Sequence, residues 1–146
     1  MKRKAFDLAL ILIGAAAAVP GAIEIMLSLS GRTYSWGGVS FAGDFMLWRG
    51  LILSAAGVFY FLAKTEADPI QAKARAVLAS LMIWIVGGVE ALSLVLGSIP
   101  GGEGRWISTA EGFLQSYGGP FIPSLFLLPL SVGFLMIFLR REGEEG

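Results

Sequence analysis

Residues 76–99 read AVLASLMIWIVGGVEALSLVLGSI, and Glu90 is the single charged side chain among them. An α-helix needs about 20 mostly apolar residues to cross the hydrocarbon core of a bilayer. This stretch is long enough for one crossing, and it lacks the strict alternation that indicates a half-buried β-strand. We therefore predict a transmembrane helix here, the third in the chain.

Three other stretches share this length and apolar character, and we predict helices at about residues 8–30, 41–63 and 119–139. The first run continues well past Ala18 and is flanked by Asp7, which favours a retained helix over a cleaved signal peptide. The expected fold class is an all-α membrane protein, a four-transmembrane-helix bundle. Residues 1–146 would form this single domain, with 140–146 as a charged cytoplasmic tail and with no β-strand.

The composition supports a chain buried in lipid and excludes several kinds of chemistry. Of 146 residues, 55% are hydrophobic and only 15% are charged, and the mean hydropathy is +0.74; soluble domains carry about 25% charged residues. Histidine and cysteine are absent, which removes imidazole relays, thiolate nucleophiles and the usual zinc sites. We predict no cofactor and no metal, and the zero net charge gives no reason to expect nucleic acid as a partner.

The distribution of lysine and arginine predicts the orientation. Cytoplasmic connections carry an excess of these residues. Three would lie on the outer side, namely Arg32, Arg49 and Arg105. The other eight would lie on the cytoplasmic side: Lys2, Arg3, Lys4, Lys64, Lys73, Arg75, Arg140 and Arg141. We therefore expect a multi-pass protein of the cell membrane with both termini in the cytoplasm.

Four aromatic residues fall near the predicted outer ends of the helices, namely Trp36, Trp48, Trp106 and Tyr117. Tryptophan and tyrosine are enriched at the membrane–water interface, so we interpret these rings as interfacial anchors. A lipid or quinone pocket is the alternative. Arg49 lies near the predicted start of the second helix, where we expect its side chain to extend to the interface.

A faint repeat relates the first and third helices. A shift of 66 residues places Gly21, Glu24 and Gly31 on Gly87, Glu90 and Gly97. If this match reflects duplication, the chain consists of two parallel helical hairpins related by an axis along the membrane normal. The alternative is chance agreement between apolar helices.

Glu24 and Glu90 are the residues that most strongly suggest a function. A charged side chain near the bilayer centre costs about 2.5–3.5 kcal/mol on insertion scales, and such residues commonly mark ion or proton pathways. We therefore predict an ion- or proton-binding site at these two glutamates. The alternatives are a hydrogen bond from a protonated carboxyl to a neighbouring helix, or an ion pair with Arg49 or Arg105.

Small residues near these glutamates indicate close helix packing, since glycine and serine let transmembrane helices approach. Proline inside a helix removes a backbone donor, so kinks are expected at Pro20 and Pro129. The predicted packing positions are Gly21, Ser28, Gly50, Ser54, Gly57, Gly87 and Ser93.

Three functions are compatible with this pattern. The small size and short connections favour an accessory subunit of a larger membrane complex, with the lipid bilayer and other membrane subunits, or further copies of itself, as partners. An oligomeric transporter or ion-translocating protein using Glu24 and Glu90 is the alternative. An enzyme is the least favoured, because catalysis without histidine or cysteine would depend on acidic, arginine or tyrosine side chains.

Overall fold

The computed structural model describes residues 2–42, 45–98 and 122–143 of the chain. Within these ranges the fold is helical apart from one short hairpin. The elements in chain order are α1 (Lys2–Leu29), β1 (Tyr34–Trp36), β2 (Val39–Phe41), α2 (Met46–Thr65), α3 (Pro69–Ser98) and α4 (Pro123–Gly143).

Three of the helices are long and apolar enough to cross a membrane, which indicates a membrane location. The apolar segments are Asp7–Leu29, Met46–Thr65 and Pro69–Leu92. In α4 the apolar segment found among the described residues is Pro123–Met136, which is shorter.

The helix ends differ from the sequence-based ranges for local reasons. Helix α3 begins at Pro69, seven residues before the predicted start, because Asp68 caps it: the Asp68 carboxylate accepts a hydrogen bond from the Ile70 N–H at 2.9 Å. Proline suits the first helical position, where no backbone donor is needed. The same reason places Pro123 at the start of α4. Helix α4 continues to Gly143, past the point where we predicted the tail to begin.

The prediction that the chain contains no β-strand is wrong, because the connection after α1 forms a hairpin. Gly31, with a φ of 64°, ends α1 in the left-handed conformation that favours glycine. Strands β1 and β2 then pair antiparallel, with Trp36 opposite Val39. Gly37, with a φ of 59°, occupies the tight turn between them. Phe41 therefore ends a strand, and α2 begins only at Met46 rather than near residue 41.

The four helices pack in sequence, α1 on α2, α2 on α3 and α3 on α4, whereas α1 and α4 make few contacts. Helices α1 and α2 run antiparallel, as Gly14 lies beside Gly57 and Gly21 lies beside Gly50. The buried apolar core includes Leu10, Ile13, Leu53, Tyr60, Ile83 and Leu127.

Two polar contacts join neighbouring helices within this core. The Tyr60 hydroxyl of α2 lies 2.7 Å from Ser80 Oγ of α3, and Ser80 Oγ donates to the Ala76 carbonyl at 2.9 Å. The Trp84 indole of α3 donates to Ser131 Oγ of α4 at 2.8 Å. Each contact satisfies a hydroxyl or indole that would be costly to leave unpaired in an apolar environment.

The α1–α2 contact depends on glycine at Gly57. A Cβ atom there would lie 2.6 Å from Ala18 Cβ and 2.7 Å from the Gly14 carbonyl oxygen, so the helices would have to separate. We expect Gly57→Ala to lower the free energy of unfolding in detergent by about 1–3 kcal/mol. Gly88→Ala is the matched control, because a Cβ at Gly88 meets no atom within 4 Å. Equal stability of the two variants would contradict this packing.

Candidate functional site

Arg49 lies in the first turn of α2 and points into the bundle. Its side chain is only 3% exposed, and it shares the buried face of α2 with Met46, Gly50 and Leu53. This spacing of three, four and seven residues is typical of one face of an α-helix. The prediction that Arg49 extends to the interface is therefore wrong, because the residue occupies a core position of the helix.

The guanidinium of Arg49 joins both glutamates predicted as the functional pair. Its Nε donates to Glu24 Oε1 of α1 at 2.8 Å, and its Nη1 donates to Glu90 Oε1 of α3 at 2.9 Å. Hydrogen bonds between ionised partners are stronger than neutral ones. Among the alternatives from the sequence, the structure therefore has an ion pair of the glutamates with Arg49. We call Glu24, Arg49 and Glu90 the charge cluster.

A third contact of Arg49 reaches the hairpin. Its Nη2 donates to the carbonyl of Ala42, the residue after β2, at 3.0 Å. All three guanidinium nitrogens are thus engaged, each by a different segment of the chain. An ammonium group could not reproduce this, because the planar guanidinium presents its donors in a fixed fork.

Glycine residues bring the α1 glutamate close to the arginine. Glu24 Cβ lies 2.9 Å from the position that a Cβ on Gly50 would occupy. A Cβ on Gly21 would lie 2.6 Å from the Ser54 backbone nitrogen, so the two backbones are in close contact one turn before Glu24. As a result the Glu24 side chain is fully buried, whereas that of Glu90 is 21% exposed.

The charge cluster is neither neutral nor fully hydrogen-bonded when both acids are ionised. Two carboxylates face one guanidinium, which leaves one excess negative charge. Within the described residues, Glu24 Oε2 and the Ser54 and Ser124 hydroxyls are buried without a hydrogen-bond partner. Such groups are uncommon in folded proteins and indicate a missing donor, acceptor or proton.

The surroundings of the two glutamates resemble one another. Gly21 lies one turn before Glu24 and faces Ser54 of the next helix. Gly87 lies one turn before Glu90 and faces Ser124, whose carbonyl oxygen would lie 2.8 Å from a Cβ on Gly87.

The other predicted site residues lie elsewhere in the fold or outside the described part of the chain. Trp36 and Trp48 are 78% and 65% exposed. Helices α1 and α4 run through Pro20 and Pro129, and the Ser28 carbonyl accepts from the Gly31 N–H at the end of α1. The side chain of Ser93, and the whole of Arg105, Trp106 and Tyr117, fall outside the described residues.

The chemistry available to the charge cluster is ion pairing and proton exchange. No group of three or more aspartate and glutamate residues able to hold a metal ion is present among the residues that the structure describes. The cluster can therefore join helices electrostatically, or it can gain and lose a proton on a carboxyl group.

Comparison with known proteins provides no relative of this chain. It matches no protein family, no curated protein and no solved structure.

Removal of Arg49, the cation of the charge cluster, should strongly lower the free energy of unfolding. Arg49→Gln would leave two carboxylates without a guanidinium, and breaking a buried pair from one side costs about 3–5 kcal/mol. We expect this loss in the free energy of unfolding in detergent. Arg32→Gln removes the same charge from an exposed residue and should change stability little. Glu24→Gln added to Arg49→Gln should restore part of the loss. Equal stability of the two single variants would contradict the cluster.

Proposed function

We propose that this chain is a small multi-pass membrane protein that acts as an accessory subunit of a larger membrane complex. The observation that carries the proposal is the binding of Glu24 and Glu90 to the same buried arginine. Both acids are thereby used inside the bundle. They hold three segments together instead of lining an open path, and this favours a structural role over translocation.

The charge cluster supports such a role by fixing the relative positions of the helices. Buried ion pairs contribute little net stability when compared with apolar packing, but they can specify one arrangement among several. Arg49 contacts α1, α3 and the hairpin at once. A bundle that must present a constant surface to neighbouring subunits benefits from this type of constraint.

A groove between α1 and α4 provides a surface for such a neighbour. It has a volume of about 480 Å³ and is lined by small and apolar residues that include Ala9, Ala16, Leu130, Gly133 and Phe134. Its α1 side lies within the segment long enough to cross a membrane. Small residues at membrane depth favour helix-to-helix contact. We propose a transmembrane helix of a partner subunit as the occupant.

The proposed topology has four spans, with α4 as the fourth and both termini in the cytoplasm of the cell. The lysine and arginine distribution supports it, since eight of the eleven such residues fall on one side. The exposed Trp36 in the hairpin suits the outer side. Arg75 suits the inner side; it pairs with Glu66 at 2.7 Å near the α2–α3 connection.

We also propose that α1–α2 and α3–α4 are related hairpins. The support is the shared arrangement of a glycine, a glutamate one turn later and a serine across the helix contact. Arg49 is the asymmetric element, because one guanidinium serves both glutamates.

The second candidate is an oligomeric protein that translocates protons or cations. The observation that favours it is the unpartnered Glu24 Oε2, together with the partial exposure of Glu90. Intramembrane acids with unsatisfied hydrogen-bonding capacity are typical of proton pathways.

The accessory role predicts a defined hetero-complex that depends on the groove. We expect native mass spectrometry of the tagged protein, extracted from its own membrane in mild detergent, to give other subunits in fixed stoichiometry. Gly133→Leu should abolish this complex by filling the groove, because a Cβ at Gly133 meets no atom within 4 Å and the fold can accept it. Gly88→Leu is equally unobstructed at its Cβ but lies outside the groove, so it should retain the partner.

Two results would contradict parts of this proposal. A partner retained by Gly133→Leu would exclude the groove as the docking surface. A monomer or homo-oligomer as the sole species would contradict the accessory role and favour translocation.

The topology predicts which positions are reachable from outside the cell. The chain contains no cysteine, so the maleimide labels this protein only at a cysteine that is introduced. We expect Ser35→Cys in the hairpin to react with a membrane-impermeant maleimide in intact cells. Ala67→Cys between α2 and α3 should react only after the membrane is permeabilised. The reverse pattern would place the termini outside.

A further inference from the structure

We infer that Glu24 and Glu90 hold one exchangeable proton between them, so that the charge cluster carries no net charge at neutral pH. The inference is independent of the accessory role, since it concerns the state of the cluster and not the identity of a partner. Three observations lead to it: the number of charges, the unpartnered oxygen of Glu24 and the absence, among the described residues, of a third acid to complete a metal site.

The number of charges requires a compensating positive charge. Arg49 neutralises one carboxylate, and the second remains in a segment long and apolar enough to span a membrane. An uncompensated charge buried away from water is costly. Two charged groups face Glu24. Arg49 of α2 contacts it directly, and Glu90 of α3 contacts the same guanidinium. Residues 122–136, the part of α4 with described side chains, contain no charged residue. Asp44 lies outside the described residues.

Glu24 Oε2 is the position where a further hydrogen-bond partner or a proton is needed. Glu24 is fully buried, and its Oε2 has no hydrogen-bond partner. Ser54 Oγ is also buried without a partner. It lies on the same α1–α2 contact, opposite Gly21 and thus one helical turn from Glu24. A protonated Oε2 becomes a donor, and a serine hydroxyl is an acceptor of suitable chemistry.

The set of available ligands favours a proton over a metal ion. A metal cation needs several oxygen ligands arranged around it. Among the described residues no third acid joins Glu24 and Glu90 to complete such a set. A proton needs no such set of ligands. On binding, one O–H bond forms on a carboxylate oxygen with a proton supplied by solvent water, and Arg49 keeps its own protons.

Glu90 is the accessible acid of the charge cluster. Its side chain is 21% exposed, whereas Glu24 and Arg49 are buried. Because both acids contact the same guanidinium, removal of either one leaves one carboxylate for one arginine. Such a cluster is neutral without a proton. A proton shared by the pair is therefore lost from Glu24→Gln and also from Glu90→Gln. A proton confined to one acid would be lost only from the variant of that acid.

Infrared difference spectroscopy of the protein in lipid vesicles tests this inference. At neutral pH, where exposed acids are ionised, we expect the wild type to show the C=O stretching band of a protonated carboxyl group, and to lose it when the pH is raised further. The band should be absent from both Glu24→Gln and Glu90→Gln. It should persist in Glu66→Gln, since Glu66 pairs with Arg75 outside the cluster. Circular dichroism and gel filtration would verify that each variant is folded.

Three outcomes would overturn the inference. The first is the absence of a protonated-carboxyl band in the folded wild type at neutral pH. The second is a band that survives in either cluster variant. The third is a band that is displaced by sodium or potassium at constant pH, since this would identify a metal cation as the ligand.

Discussion

The fold depends on one guanidinium group placed where α1, α3 and the hairpin meet α2. Arg49 donates to two glutamates and one backbone carbonyl, and its own position is set by the helical periodicity that buries Met46 and Leu53 beside it. Its main energetic effect is to favour one relative arrangement of the helices over others. Charges buried in an apolar medium stabilise only the geometry in which they are paired, and they penalise every other one. Helices held only by dispersion forces in lipid have no comparable penalty for sliding.

The cluster is possible because glycine allows the α1 and α2 backbones to approach. Gly21, Gly50 and Gly57 each face backbone or Cβ atoms of the opposite helix at distances that exclude a side chain. This closeness brings the short glutamate side chain of α1 within 2.8 Å of the arginine. Packing and electrostatics are therefore coupled in this protein, because an increase in helix separation would also lengthen the ion pair.

The sequence predicted the features that depend on local composition, and it missed those that depend on tertiary context. Long apolar runs indicated the membrane helices, and lone charges within them identified Glu24 and Glu90. The hairpin was missed because its strands are three residues each, too short for an alternation pattern, although the Gly37–Gly38 pair is a known turn signal. Arg49 was misplaced because proximity to a helix end suggested the interface, while its spacing from Met46 and Leu53 indicated the core.

The hairpin has a consequence for how the charge cluster is connected to the surface of the protein. Trp36 at its turn is largely exposed, its ladder partner is Val39, and the chain reaches Ala42 three residues later. The Ala42 carbonyl accepts directly from Arg49. The exposed tryptophan is thus separated from the buried charges by one short strand and one hydrogen bond. The hairpin therefore connects an exposed ring to the interior ion pairs through the backbone alone.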